Sequence, residues 1–201
     1  AKLEDFARAD RELTDVIPSL SGEDEIEALI ARARSSLWTE QTEQTMALAS
    51  RAVELVGARD ARDLEGPALA LLSAAYTMRG DEGDLEKAIE LGDHALDVWV
   101  SGARDLELAE HYHLHADAHY WAGVYPRTLE LSRLAAETGG KDSYSAEYRL
   151  RGVGMQGICL AGLGRYEESL VAGENAIALS RKLGRSDNVV MNYSTLPLRE
   201  I

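Results

Sequence analysis

The stretch ADAHYWAGVYPRTLELSRLAAE, residues 116–137, decides the fold. It places a small residue, Ala116, ahead of Gly123, Tyr125, Thr128, Leu129, Leu131 and Ala135, with apolar positions at helical spacing on both sides of the glycine. Displacing the chain by 41 residues lays Ala116 on Gly157, Gly123 on Gly164, Tyr125 on Tyr166, Leu129 on Leu170 and Ala135 on Ala176. A displacement of 40 carries Gly83, Leu85, Ala88, Ile89, Leu91 and Ala95 onto Gly123, Tyr125, Thr128, Leu129, Leu131 and Ala135. One of 43 carries Thr45, Met46, Leu48, Ala52 and Val53 onto Ala88, Ile89, Leu91, Ala95 and Leu96. Four copies of one unit follow, each an antiparallel helix pair around a short turn. A literal echo supports them: Gly57-Ala58-Arg59-Asp60 recurs as Gly102-Ala103-Arg104-Asp105, and the glycine of each is expected to take a left-handed helix cap.

The periodicity predicts helices over 2–17, 23–38, 41–56, 61–79, 84–100, 105–122, 126–138, 143–163, 166–183 and 187–196. The corresponding units run over about 23–60, 61–104, 105–142 and 143–186, with an orphan second helix at 2–17 and a partial unit at 187–201. Ala116 to Glu137 resembles the tetratricopeptide repeat (TPR) family, and Gly157, Gly164, Tyr166, Ser169 and Ala176 repeat the match. The resemblance implies an all-α fold, a right-handed α-solenoid of helix pairs forming one array over 1–201, and a role in protein or peptide recognition. The period of 40–43 exceeds the 34 usual in that family, and no proline closes the second helix. The longer period is similar to that of helical arrays in bacterial regulators carrying an adenylate cyclase or ATPase domain. Trp38-Thr39-Glu40, Arg79-Gly80-Asp81-Glu82-Gly83-Asp84 and Asn192-Tyr193-Ser194 resemble segments of that group. What this narrower resemblance implies is a signalling context and a fragment of a larger intracellular protein, an expectation that the start at Ala1 and the orphan helix share.

The composition bounds the partners. The 201 residues carry a net charge of −14, and residues 1–100 hold 10 Lys and Arg against 22 Asp and Glu. Such a surface repels nucleic acid, so the expected partner is a protein or peptide, or another domain of the same chain. A single cysteine, Cys159, allows no internal disulfide, and no apolar run reaches the ~20 residues of a membrane span. Together these suggest a cytoplasmic protein with no membrane partner.

Four motifs bear on chemistry. His111, His115 and His119 fall at successive i, i+4 steps and could face one metal ion, the basis of a metal-dependent enzyme as a third reading; the expected role is packing and hydrogen bonding. Gly152-Val153-Gly154-Met155-Gln156-Gly157 matches a dinucleotide fingerprint in letters but follows a charged helical segment rather than a strand. Close helix packing is its expected meaning. Asp81, Glu82, Asp84 and Glu86 form an acidic loop, read as a solvated turn with Asp84 near a helix start, and Cys159 reads as a buried, inert thiol. No catalytic residue, no cofactor and no resident metal is expected.

The aromatic positions say more. Trp38 and Trp121 end equivalent first helices, with Met78 in the corresponding place of the second unit and Gly162 in the fourth. In the resembling family first helices line the inner face, which makes Trp38, Met78 and Trp121 candidate anchors and His113, Asp117 and Tyr120 candidate polar contacts of a binding groove. The alternative is that both tryptophans pack between adjacent units.

Overall fold

The computed structural model describes residues 2–99, 105–139 and 145–184. Its α-helices are α1 (Lys2–Val16), α2 (Gly22–Trp38), α3 (Thr42–Arg59), α4 (Glu65–Arg79), α5 (Asp84–Val98), α6 (Asp105–Trp121), α7 (Tyr125–Thr138), α8 (Ser145–Gly162) and α9 (Tyr166–Lys182), with 3₁₀ turns at Ile17–Ser19 and Arg62–Leu64. Among the described residues there is no strand. The fold is all-α, and the helices lie where the apolar period predicts them. The predicted helix 187–196, the echo from Gly102 and the Asn192 segment lie outside the described residues.

The chain divides into two compact units, 1–103 and 104–201. In the first, α2 pairs with α3 and α4 with α5, while α3 and α4 pack to join the pairs. The orphan α1 docks on α2, fixed by Asp10, whose Oδ1 accepts from Arg32 Nε at 3.0 Å and from Gln44 Nε2 at 2.7 Å. Ile26, Ile30, Leu64 and Leu71 are its largest fully buried side chains. In the second unit α6 pairs with α7 and α8 with α9, joined through α7 and α8. Its core mixes Leu131, Leu150 and Cys159 with the buried rings of His111 and His115.

The backbone repeats along with the sequence. Gly83, Gly123 and Gly164 are left-handed at φ 84, 74 and 72°, and at the same register the first pair has Glu40 at φ 59°. Just past three of these turns the chain donates back over five residues: Gln41 N–H to Ser36 O, Val124 N–H to His119 O, and Arg165 N–H to Leu160 O, at 2.8–2.9 Å. The second helices then close on their partners through small residues. Ala52, Ala95, Ala135 and Ala176 are fully buried at one register, and Ala49, Gly92, Ser132 and Gly173 are buried three residues earlier. Small side chains at successive turns let the helix axes approach.

The glycines of the false dinucleotide motif serve the same end. A Cβ on Gly152 would meet Ser132 O at 2.5 Å and Ala136 N at 2.8 Å, so α8 lies backbone to backbone on α7 there. Gly157 faces Gly173 N and Ser169 O of α9 at 3.5 Å, and Ser169 Oγ donates to Gly157 O at 2.7 Å.

Two expectations are corrected. Gly57 does not take the left-handed cap, because α3 continues to Arg59 and Asp60 adopts that conformation at φ 53°. Arg59 explains the extension: its guanidinium reaches back to Gly22 O at 2.7 Å and Glu25 Oε2 at 2.8 Å, which holds the last turn onto α2. Asp84 does start α5, but it is buried rather than solvated. Arg79 donates to both its oxygens, at 2.6 and 2.7 Å, and Asp81 N–H adds a third bond at 3.0 Å. The Arg79 guanidinium and that amide hold the carboxyl below the usual carboxylate range against its desolvation.

Candidate functional site

Four exposed apolar residues of the second unit gather at its turns. Trp121, the last residue of α6, is 69% exposed, Val124 41%, Leu163 37% and Tyr166 54%. Trp121 stands clear of the core because the left-handed Gly123 ends α6 and turns the chain into α7, whose first turn carries Pro126. The turn after α6 lies next to the turn after α8: the Tyr125 ring sits where a Cβ on Gly162 would be, 3.1 Å away. Tyr120 bridges inward, its ring 5.4 Å from Trp121 and 6.0 Å from Tyr125. At 69% exposure the Trp121 indole buries little of its surface.

His113, Asp117, Tyr120 and Trp121 follow one stripe of α6 with graded access. His113 is 6% exposed, Asp117 and Tyr120 are half-buried, and Trp121 is open. His113 Nε2 lies 3.7 Å from Asp117 Oδ2. Burial keeps the ring neutral to a lower pH than usual and Arg151 adds to this, opposed by Asp117, Glu110 and Glu147. Beside it Tyr148 Oη on α8 donates to Glu110 Oε1 on α6 at 2.6 Å, and within α8 the half-buried Arg151 donates from Nε to Glu147 Oε1 at 3.1 Å, a partly buried polar seam. In the first unit, Trp38 is half-buried at the end of α2 and Met78 is 42% exposed near the end of α4.

The histidine stripe is interior. The rings of His111 and His115 stack with centroids 5.4 Å apart, and His115 meets His119 edge-on at 4.7 Å. His115 and His119 could each offer one imidazole nitrogen to an ion. Cys159 is fully buried, and desolvation pushes its thiol up to about 12, which disfavours the nucleophilic thiolate.

The sequence reading did not select Val124, Leu163 and Tyr166 as exposed apolar residues. The signal was present: the turns W-A-G-V-Y at 121–125 and G-L-G-R-Y at 162–166 carry apolar side chains where helix-joining turns are ordinarily polar.

No protein-family model and no curated protein matches the chain. Among solved structures it is similar to a protein of Podosopora anserina assigned as a kinesin light chain with nearly identical TPR-like repeats. The TM-score is 0.65 at 16% identity, over 90% of this chain and 91% of that one. The likeness is one of fold, an array of TPR-like helical repeats. Among the described residues no helix is long and apolar enough to cross a membrane.

Proposed function

We propose that the chain is a protein-interaction array that holds a partner peptide or helix against its first helices, with Trp121 as the anchor. The observation that carries this reading is the exposure of Trp121, 69%, at the end of the stripe bearing Asp117 and Tyr120. A folded monomer gains little by presenting an indole to water, whereas large aromatics dominate binding energy at interfaces. The TPR-like fold supports it, because stacked helix pairs offer extended surfaces for a second chain. Trp38 and Met78 are the matching anchors of the first unit.

In its narrower form the partner is a cyclase or ATPase domain of the same, larger protein, in a cytoplasmic signalling setting and without catalysis by the array itself; the units are those of the sequence, about 23–60, 61–104, 105–142 and 143–186. A photo-crosslinking amino acid at position 121, with one at exposed Ala178 as control, identifies the partner or the intrachain domain. Trp121→Ala is then expected to weaken that complex by about 2 kcal/mol. Undiminished affinity of Trp121→Ala for the crosslinked species would overturn the reading.

A further inference from the structure

A second surface of the same unit is open in a different way. Between α7 and α9, floored by α8, lies a groove of about 770 Å³. Its apolar lining is Leu129 on α7, Val153 and Leu160 on α8, and Val171, Ala172 and Leu179 on α9. At the register of Ala172 and Leu179 the first unit has Leu91 and Val98, which pack with Val53 and Trp99 on the buried cluster of Leu69, Ala70 and Ala95. In the second unit the equivalent residues line the open groove, and beside them Val171 is 58% exposed.

The groove also runs against the charge of the molecule. In a chain of net charge −14 its lining holds three arginines and two glutamates. Arg165 and Glu168 neutralise one another through two bonds of 2.7 and 2.6 Å. Arg133 and Arg149 form no ion pair among the described residues, Arg133 adding only a longer-range attraction to Glu168. Glu167 is the single carboxylate left to oppose them. Along α8 the lining positions Arg149, Val153, Gln156 and Leu160 follow i, i+4, i+7 and i+11, a straight stripe of about 17 Å that matches three turns of a docked helix.

We propose that the groove between α7 and α9 binds an acidic amphipathic helix of a partner protein, its apolar face on Val153 and Val171 and its carboxylates on Arg133 and Arg149. This is the helix-in-groove mode with charges placed to fix orientation. It uses none of the residues assigned to the Trp121 surface.

The test uses the full chain and three labelled helical peptides with one leucine face, flanked by Glu, Gln or Lys, followed by fluorescence anisotropy. The Glu peptide is expected to bind most tightly and the Lys peptide least, with the Glu affinity falling as salt rises. Arg133→Glu with Arg149→Glu should weaken the Glu peptide by about tenfold or more, while Trp121→Ala leaves it unchanged. Equal binding of the Glu and Gln peptides, or of the double variant and the parent, would overturn the proposal. So would a self-associated parent chain that the double variant renders monomeric, since the occupant would then be a second copy. If the double variant melts early, the peptide series on the unaltered chain decides: the ranking Glu, Gln, Lys supports the proposal and any other defeats it.

Discussion

The turns of the two units, three of which share one backbone path, carry opposite chemistry. In the first unit they read Thr39-Glu40-Gln41 and Asp81-Glu82-Gly83-Asp84, and in the second Trp121-Ala122-Gly123-Val124-Tyr125 and Gly162-Leu163-Gly164-Arg165-Tyr166. The interiors differ in the same sense: where α4 buries Leu71, α6 at that register buries His111, and the second unit adds the Glu110–Tyr148 and Glu147–Arg151 seam. The first unit, apart from buried Asp84 and a few hydroxyl side chains, keeps apolar groups inside and acid outside. Its partner in sequence spends polar groups in the interior and shows aromatic surface, a pattern suited to a binding unit rather than to maximal stability.

The largest expected effect tests how tightly that second interior is packed. Gly152→Ala places a methyl 2.5 Å from Ser132 O and 2.8 Å from Ala136 N, backbone atoms that move only if α7 shifts. A loss of about 3 kcal/mol is expected in denaturant unfolding. Gly66→Ala in the first unit meets the Trp99 ring at 2.8 Å and backbone only at Ala95 O, 3.3 Å away, so a smaller loss of about 1 kcal/mol is expected. Equal losses would mean that the two units are packed alike.

The helices and their pairing were legible because three independent displacements of the sequence agreed on one register, and because small residues such as Ala135 and Ala176 mark where backbones touch. Glu40 shows the limit: its backbone takes the conformation of Gly83, Gly123 and Gly164, yet a glutamate carries no signal for a left-handed turn. Gly57 misled in the other direction, since the cap position was set by Arg59 reaching α2, a contact between residues 37 apart in sequence. At the candidate site the stripe of α6 was readable from spacing. Its grading from buried His113 to open Trp121 was not, because access depends on how α8 covers α6.

The next effect separates the units by pH. The unfolded chain takes up a proton on His113 near pH 6.5, while buried His113 in α6 protonates only at lower pH. The second unit therefore holds this contribution above about pH 6.5 and loses it as pH falls below that value. Asp84 of the first unit, with its carboxyl lowered mainly by Arg79, contributes down to about pH 4 and loses it only as pH falls further. Hydrogen exchange between pH ~7 and ~5 is expected to loosen α6 and α8 ahead of α4 and α5. His113→Gln should reduce that loosening. A parent chain whose units soften together over this range would remove the distinction.

Smaller still is the cost of the shared turn. Glu40→Gly should stabilise the first unit by about 1 kcal/mol by relieving a side chain held at φ 59°, and Gly123→Ala should destabilise the second by about the same. If thermal melts show no gain from Glu40→Gly, the two turns are not energetically equivalent despite their common path.

The smallest expected change in stability is the one that bears most on function. A core tryptophan truncated to alanine costs about 3–5 kcal/mol, because burial is lost and a cavity remains. Trp121 at 69% exposure has little burial to lose, and its contact with Tyr120 is edge to ring at the surface, so Trp121→Ala is expected to melt within about 0.5 kcal/mol of the parent. Half-buried Trp38, in the unit that keeps its apolar groups inside, should cost more, about 1–2 kcal/mol. Near-native melting of Trp121→Ala beside a measurable loss in Trp38→Ala would place the exposed anchor in the second unit. Severe destabilisation by Trp121→Ala would return that indole to the core and end its role as an anchor.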